Sequence, residues 1–313
     1  MKKHSENSGF FDSSENSIKE IVKTFTAEVV VIGAGVVGAT IAEAFRKKEM
    51  DVCVLDDNDP EGGSKPCGGL IKPSPLMGLP DVDIRESLDV LESCFGLTKE
   101  VMTIRPSGNL IKAGIFGVVM DNVFKIEKTT GHVWAYETNP NKVFFTPMEK
   151  DKSVEVKCKI LVIAAGVCTK KLVPEAFVKD DLIAKRGFSF HFTGQVKDPF
   201  VKFWAPYKQI TVHNTIYYDE EIVWAGDGSA LTLPSWYEGR IQEAYKRVTD
   251  EMEPGHEYIR TLRGLRSFVR NKKYKPCFLQ EIDPHCWVAT GSGKFGLISG
   301  GYSAKEIMKK ELK

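Results

Sequence analysis

The sequence has little of what marks metal-binding, secreted or membrane-spanning proteins. Its seven cysteines are an odd, scattered set without a CxxC pair, and its six histidines show no metal-ligand spacing. The chain therefore predicts neither a zinc site nor a disulfide framework. No apolar run is long enough to cross a bilayer, and the polar N-terminal segment lacks the apolar stretch of a signal peptide. We expect no metal, no membrane association and a cytoplasmic protein, with residues 1–25 as a flexible polar tail.

The sequence also has no large excess of charge of one sign. The chain has 43 basic and 42 acidic residues, so its composition does not require a nucleic acid or a membrane surface as partner. One local excess of basic residues begins at Arg260 and runs to the C terminus. It includes Arg260, Arg263, Arg266, Arg270, Lys272, Lys273 and Lys275. This segment is either a solvated surface or a site for a polyanionic substrate, and the sequence leaves both readings open.

A nucleotide-binding motif lies near the N terminus. The apolar run 29–32 predicts a buried strand, and it is followed by Gly33, Gly35 and Gly38, a helix-spaced apolar run, and a second strand that ends on Asp56. In this order the glycines permit a tight turn, the approach of a pyrophosphate and close helix packing, while the acid accepts hydrogen bonds from a ribose 2′-OH. The motif predicts a dinucleotide and disfavours NADP, but it does not separate FAD from NAD.

Nucleotide-type motifs occur at both ends of the chain. The run 160–163 followed by Ala164-Ala165-Gly166 predicts another buried strand, and "HCWVATGSGKFGLISGGYSAKEIMKKELK" predicts a strand, a glycine-rich loop and a helix. Alternation over residues 185–230 predicts an antiparallel sheet between them. We predict an α/β fold with a Rossmann-type, discontinuous FAD-binding domain and an antiparallel-sheet substrate domain. The FAD-binding domain takes residues 26–80, 150–180 and 255–313, and the substrate domain takes 81–149 and 181–254.

Five motifs in this order resemble the D-amino-acid oxidase family, which includes glycine oxidase and sarcosine oxidase. They are the glycine turn with Asp56, "GGSKPCGGL", "ILVIAAG", "AKRGFSF", and "RGLRSFVR" followed by "WVATGSGKFGLISGGYSA". The chain departs from the family pattern in three places. The segment between "PSGNLIKA" and "NVFK" is too short for the family's helices, so the substrate cap is reduced. Ser267 replaces the common proline, in an unusually basic stretch, and Asp56 replaces the commoner glutamate.

The resemblance implies FAD as the cofactor. It places the loop around Ser64 beside the pyrophosphate and flavin, and the positive end of the last helix at the flavin N1/O2 edge. The cofactor-binding residues that it implies are Gly33, Gly35, Val36, Val37, Gly38, Asp56, Asp57, Ser64, Gly68, Gly69, Val123, Ala165, Gly166, Gly293, Lys294, Phe295, Gly296 and Leu297.

The resemblance also implies the reaction: an FAD-dependent oxidoreductase that oxidises the C–N bond of an amino acid or amine by hydride transfer to flavin N5. Arg266 is expected to bind the substrate carboxylate, because a guanidinium reads a carboxylate through two hydrogen bonds, and Arg270 is the reserve. Tyr217 and Tyr218 alternate along a strand, so only one of them faces the flavin side. Tyr218 is assigned a catalytic role and Tyr217 a substrate-binding role, and a core aromatic is the alternative for each. Two alternatives stay open: an amine attached to nucleic acid, as in DNA or tRNA base modification, and a non-catalytic dinucleotide-binding module.

Overall fold

A computed structural model describes residues 21–71, 78–98, 101–104, 110–112, 115–150, 152–173, 182–194, 200–204, 214–218, 221–226, 237–270 and 277–313. Within these ranges the strands form two seven-stranded sheets and one two-stranded sheet. Strands and helices are numbered in chain order.

The first sheet carries the predicted nucleotide-binding motif. Its strands are β1 (Ile21–Ile32), β2 (Val52–Asp56), β7 (Thr129–Glu137), β8 (Asn141–Pro147), β9 (Ser153–Ile163), β15 (Phe278–Asp283) and β16 (Cys286–Thr290). Parallel pairs join β2 to β1, β1 to β9, and β9 to β16. β15 pairs antiparallel with β16, and the β7–β8 hairpin connects β2 to β9. The parallel strands end together at one edge, where a nucleotide binds in open α/β sheets.

Three helices cover one face of this sheet: α1 (Val36–Arg46), α2 (Asp81–Phe95) and α6 (Gly296–Glu311). They share a core with the strands in which Ile41, Phe45 and Leu91 are fully buried. Two short helices, α3 (Met120–Phe124) and α4 (Thr169–Leu172), contribute Val123 and Leu172 to the cores on the two faces of the sheet. The helices bury the apolar side of the sheet and bring the first turns of α1 and α6 to the edge where the parallel strands end.

The second sheet is mainly antiparallel, in the order β14-β10-β13-β12-β11-β4-β5. Its strands are β4 (Met102–Ile104), β5 (Leu110–Lys112), β10 (Leu182–Thr193), β11 (Phe200–Trp204), β12 (Asn214–Tyr218), β13 (Ile222–Gly226) and β14 (Tyr258–Val269). One face packs Phe188, Phe190 and Phe192 against Ala244 and Val248 of helix α5 (Tyr237–Glu251). Since side chains alternate along a strand, the residues between these phenylalanines point to the other face.

The predicted fold class is confirmed: a sheet with parallel strands carries the nucleotide motif, and an antiparallel sheet adjoins it. Several elements differ from the predicted domain assignment. Helix α2, expected in the substrate domain, packs on the first sheet, and β14, expected in the FAD-binding domain, is a strand of the second sheet. Residues 21–25, expected in a flexible tail, form the first part of β1 and pair with β9. The hairpin β7–β8, expected in the substrate domain, pairs instead with strands of the first sheet. Residues 21–25 and β7 pair with β9 and β2, which lie far away in sequence, so local polarity and alternation did not indicate these pairings. The remaining domain boundaries stay a prediction.

Candidate functional site

The glycine turn after β1 closes against the neighbouring strand. Gly33 has a φ of 101°, a conformation that residues with a Cβ rarely adopt. A Cβ on Gly33 would also lie 2.6 Å from the carbonyl oxygen of Ala164, at the end of β9. A Cβ on Gly38 would overlap the carbonyl oxygen of Gly33. The turn therefore needs both glycines, one for its backbone angle and one for the approach of α1.

The N terminus of α1 offers amide groups to an anion. The amide of Ala39 donates to the carbonyl of Gly35 at 2.8 Å, so the amides before it have no acceptor within the helix. One of these, on Val36, donates to Ser64 Oγ at 2.9 Å. The Ser64 hydroxyl keeps its own hydrogen for a further acceptor. The helix end, its positive partial charge and the hydroxyl fit a pyrophosphate, as the resemblance implies.

Asp56 lies at the end of β2 beside the same turn. Its Oδ1 accepts a hydrogen bond from the amide of Ala34 at 2.9 Å, and its Oδ2 accepts one from the amide of Asn58 at 3.2 Å. The Lys128 ammonium lies 3.7 Å from Oδ2. Carboxylate oxygens carry two lone pairs each, so Asp56 can still accept bonds from a ribose. Asp57 is exposed and accepts the amide of Asp59 at 3.1 Å.

The second strand of the motif and the C-terminal loop meet at this edge. Gly166 follows β9, and its carbonyl accepts a hydrogen bond from the Thr290 hydroxyl at the end of β16, at 2.8 Å. The amide of Gly293 donates to Ser267 of β14 at 2.7 Å, which fixes the loop before α6. A Cβ on Gly296 would lie 2.6 Å from the Val36 side chain, so the first turns of α1 and α6 are adjacent. Two helix N termini therefore converge where the strands end.

The other predicted cofactor residues lie around this edge at different depths. Val123 is fully buried in α3 and its side chain belongs to the core. Leu297 is buried in the first turn of α6, and Lys294 is exposed, with its ammonium 5.3 Å from the Phe295 ring centroid. Their individual contacts to FAD stay a prediction, as does the adenine contact assigned to the backbone of Val123.

The loop from residue 61 to 69 crosses from this edge onto the second sheet. Leu265 of β14 donates its amide to the carbonyl of Glu61 at 2.8 Å. Further along the loop, the indole N–H of Trp224 donates to the carbonyl of Pro66 at 3.1 Å. Only a glycine fits at position 68, because a Cβ there would lie within 2.7 Å of indole atom Cε2 of Trp224. The loop that the resemblance places beside the flavin is thus held against the sheet that the resemblance assigns to the substrate.

Sequence reasoning did not single out Trp224. In "EIVWAG" it reads as an ordinary strand aromatic, and nothing local indicates that its ring meets Gly68. We expect Trp224→Phe to lower the free energy of unfolding by about 1–3 kcal/mol in urea titrations, because the buried Pro66 carbonyl loses its donor. FAD affinity should fall in the same variant.

The matched control is Trp134→Phe, which removes the same ring atoms from β7. The Trp134 indole nitrogen is buried without a hydrogen-bond partner among the described residues, so its removal leaves no acceptor unpaired. An equal loss of stability in the two variants would show that ring volume, not the bond to Pro66, is what matters.

Arg266 lies in β14 opposite Lys185 of β10. Its guanidinium crosses Gly187, where a Cβ would come within 2.6 Å of Cζ. Gly264, on the same face of β14, meets the Pro66 ring of the loop, so this face looks toward the nucleotide side. Arg270 is exposed and follows the end of the strand. The structure therefore brings Arg266, and not Arg270, across the face that the loop covers.

Tyr217 and Tyr218 are neighbours on β12, and the structure describes the side chain of the first only. Tyr217 is buried, packs with Val101, Ile115 and Val201, and pairs with Trp224 across the strands. It therefore lies on the face covered by the loop. Tyr218 pairs with Phe200 through its backbone, and its side chain lies outside the described residues. The catalytic role assigned to Tyr218 stays a prediction.

The basic C-terminal stretch is partly neutralised. Arg263 forms a salt bridge with Glu238 of α5 at 2.7 Å, whereas Arg260 is exposed. Lys272, Lys273 and Lys275 lie outside the described residues. No group of three or more His, Cys, Asp or Glu side chains in the described ranges could hold a metal ion. Within the same ranges, no helix is both long and apolar enough to cross a membrane.

Comparisons with known proteins agree with the site. Residues 28–111 match the family model of the FAD dependent oxidoreductases, DAO. No curated protein matches the sequence. Among solved structures, glycine oxidase from Bacillus cereus ATCC 14579 has a TM-score of 0.62 at 17% identity, over 91% of this chain and 96% of its own. An FAD dependent oxidoreductase from Pseudomonas aeruginosa has 0.63 at 11% identity, over 93% and 92%. Iminodiacetate oxidase from Chelativorans sp. BNC1 has 0.58 at 14% identity, over 89% and 93%.

These structural likenesses establish the fold, and the family match covers the glycine turn, Asp56 and the loop that contacts Trp224. The geometry fits the implied cofactor: the strand ends approach each other through glycine, the N termini of two helices converge there, and a carboxylate lies beside them. The resemblance stated from the sequence is confirmed. The family match over residues 28–111, with the fold in support, shows that this chain is similar to the DAO-type FAD-dependent oxidoreductases.

Proposed function

We propose that this oxidoreductase oxidises the C–N bond of an amino acid or amine, and that Arg266 binds the substrate carboxylate. The observation that carries the proposal is the Arg266 guanidinium lying across Gly187, on the face of the second sheet that the loop 61–69 covers. An arginine held between the loop and the sheet face suits a carboxylate, because the planar guanidinium donates two parallel hydrogen bonds to the two carboxylate oxygens.

FAD, when bound, supplies the hydride acceptor at flavin N5. The chain's own residues bind and orient. The α1 N terminus and Ser64 would hold the pyrophosphate, Asp56 would accept from the ribose, and the α6 N terminus would offer positive partial charge to the flavin. The Trp224 ring packs against Gly68 and holds this part of the loop in place. Arg266 fixes the carboxylate so that the carbon bearing the amine is turned toward the loop.

The test is the visible spectrum of the purified protein under anaerobic conditions during addition of free amino acids and secondary amines. We expect an oxidised flavin spectrum that is bleached by one class of amine and that returns when an acceptor is admitted. A flavin that no amine in the panel bleaches would reject amine oxidation while leaving the FAD-dependent fold intact. A protein that cannot be loaded with FAD would contradict the cofactor as well.

Repeating the measurement at several salt concentrations distinguishes a free amino acid from a substrate attached to a polymer. Turnover of a free amino acid should barely change with ionic strength, whereas binding to a nucleic acid weakens steeply as salt is raised. The salt bridge between Arg263 and Glu238 reduces the positive charge available to a polyanion, and we therefore favour the small substrate.

A further inference from the structure

A buried histidine lies on the same sheet face as Arg266 and takes no part in the function proposed above. His191 of β10 is 7% exposed. Its Nε2 lies 3.3 Å from Ser189 Oγ, but its Nδ1 is buried without a hydrogen-bond partner among the described residues. Such groups are rare, because a buried polar atom without a partner loses its hydration and gains nothing in return. The missing partner of Nδ1 needs an explanation.

The register of the strands places His191 on the loop side of the sheet. Phe188, Phe190 and Phe192 of β10 face helix α5, so Gly187, Ser189 and His191 face the other way. His191 pairs with Trp224, whose ring meets Gly68 of the loop. Trp224 pairs in turn with Tyr217. The imidazole thus belongs to the row of side chains that the loop 61–69 adjoins.

Its charge state is also defined by its surroundings. Burial, followed by the neighbouring Arg260 cation, lowers the pKa of His191 to about 4. The imidazole is therefore neutral near pH 7. In either tautomer, Ser189 can satisfy Nε2, and Nδ1 is left as one unpaired donor or acceptor. A neutral imidazole of this kind can hydrogen-bond an uncharged polar group, while the substrate carboxylate is assigned to Arg266.

The distance along β10 limits what can reach both groups. Gly187, beneath the Arg266 guanidinium, and His191 are four residues apart, which is about 13 Å between Cα atoms in an extended strand. Between them on this face is Ser189, a small side chain. A molecule whose carboxylate binds Arg266 can hydrogen-bond to His191 only through a polar group that lies several bonds from that carboxylate. Glycine is too short.

We propose that His191 is a specificity-determining residue whose Nδ1 hydrogen-bonds an uncharged polar group at the far end of an extended amino acid or secondary amine. This inference rests on the proposed function and names its substrate class. It predicts that amino acids with an uncharged polar tail, such as glutamine or citrulline, are oxidised with higher kcat/KM than apolar analogues of equal length, and that glycine is a poor substrate.

Three substitutions separate this role from a structural one. His191→Asn keeps an amide near the position of Nδ1, His191→Gln keeps one near Nε2, and His191→Phe keeps neither. We expect His191→Phe to reduce the preference for the polar-tailed substrate by about 10-fold or more, the size of one discriminating polar contact. His191→Asn should retain most of the preference, and His191→Gln should not. The control His132→Phe changes an exposed histidine of β7 and should behave as the unsubstituted protein.

The opposite pattern overturns the inference. If His191→Gln retains the preference and His191→Asn loses it, the bond to Ser189 is what matters. If all three variants lower kcat/KM equally for polar and apolar substrates, or unfold at lower urea, the histidine is structural. A flavin that no amine bleaches would reject the proposed function instead. In that event the ¹⁵N signal of His191 Nδ1 is followed in the FAD-loaded protein with the same amino acids. A shift by polar-tailed ones alone supports the inference, and an unchanged signal rejects it.

Discussion

Arg266→Gln is expected to lower kcat/KM for the best amine substrate by about 10²-fold or more, with FAD still bound. Removing one partner of a desolvated, hydrogen-bonded charge pair costs about 2–5 kcal/mol, because the other charge is left without its partner. Most of the loss should appear in KM, or in the dissociation constant from anaerobic titration, since a carboxylate contact holds the substrate before and during the reaction. Steady-state kinetics and the flavin spectrum of the variant measure both effects.

The matched control for this prediction is Arg263→Gln. Arg263 lies three residues earlier in β14, pairs with Phe188 across the strands, and bonds Glu238 of α5. It is therefore a cation of the same strand on the opposite face, and its loss should leave kcat/KM within about 2-fold. If Arg266→Gln were as active as the control, the carboxylate would bind elsewhere. If neither variant nor the unsubstituted protein had activity on amines, a non-catalytic dinucleotide-binding module would gain support.

The nucleotide edge was the part of the molecule that the sequence could predict. Gly33, Gly38 and Asp56 lie within one short stretch, and each is demanded by local geometry: a backbone angle, a helix contact and a strand end. A pattern of this kind predicts the local structure, because the strand, the turn and the helix are continuous in sequence. Ser64 was found only through the resemblance, but its bond to the amide of Val36 agrees with that placement.

The face that we propose for the substrate could not be predicted in the same way. Alternation along β10 and β13 indicated that side chains such as His191 and Trp224 take one face or the other, but not which face meets the loop. That information lies in the register between strands far apart in sequence, where His191 faces Trp224 and Lys185 faces Arg266. The pairing of residues 21–25 with β9 was missed for the same reason. The proposed function thus depends on a predictable cofactor edge joined to a face that only tertiary structure defines.

Gly38→Ala is expected to have the largest effect on the protein itself. The added methyl group would overlap the carbonyl oxygen of Gly33 and lie 3.2 Å from the Ala164 side chain. Neither can yield easily, because Gly33 is held by its bond to Leu55 at 2.7 Å and Ala164 by its bond to Ile32 at 2.8 Å. We expect a loss of at least about 3 kcal/mol in the free energy of unfolding, the upper range for overpacking. FAD affinity should fall more than 10-fold, because α1 must move away from the phosphates.

Gly239→Ala is the control that makes this result interpretable. Gly239 occupies the same position in the first turn of α5 that Gly38 occupies in α1, but a Cβ there meets nothing within 4 Å. Alanine should therefore stabilise the helix by about 0.5–1 kcal/mol through its higher propensity. Urea unfolding should shift in opposite directions in the two variants, and FAD affinity should fall only in Gly38→Ala. Similar stability and similar FAD affinity in both would mean that the turn tolerates a side chain, and that the close approach of α1 to β1 is not what holds the cofactor.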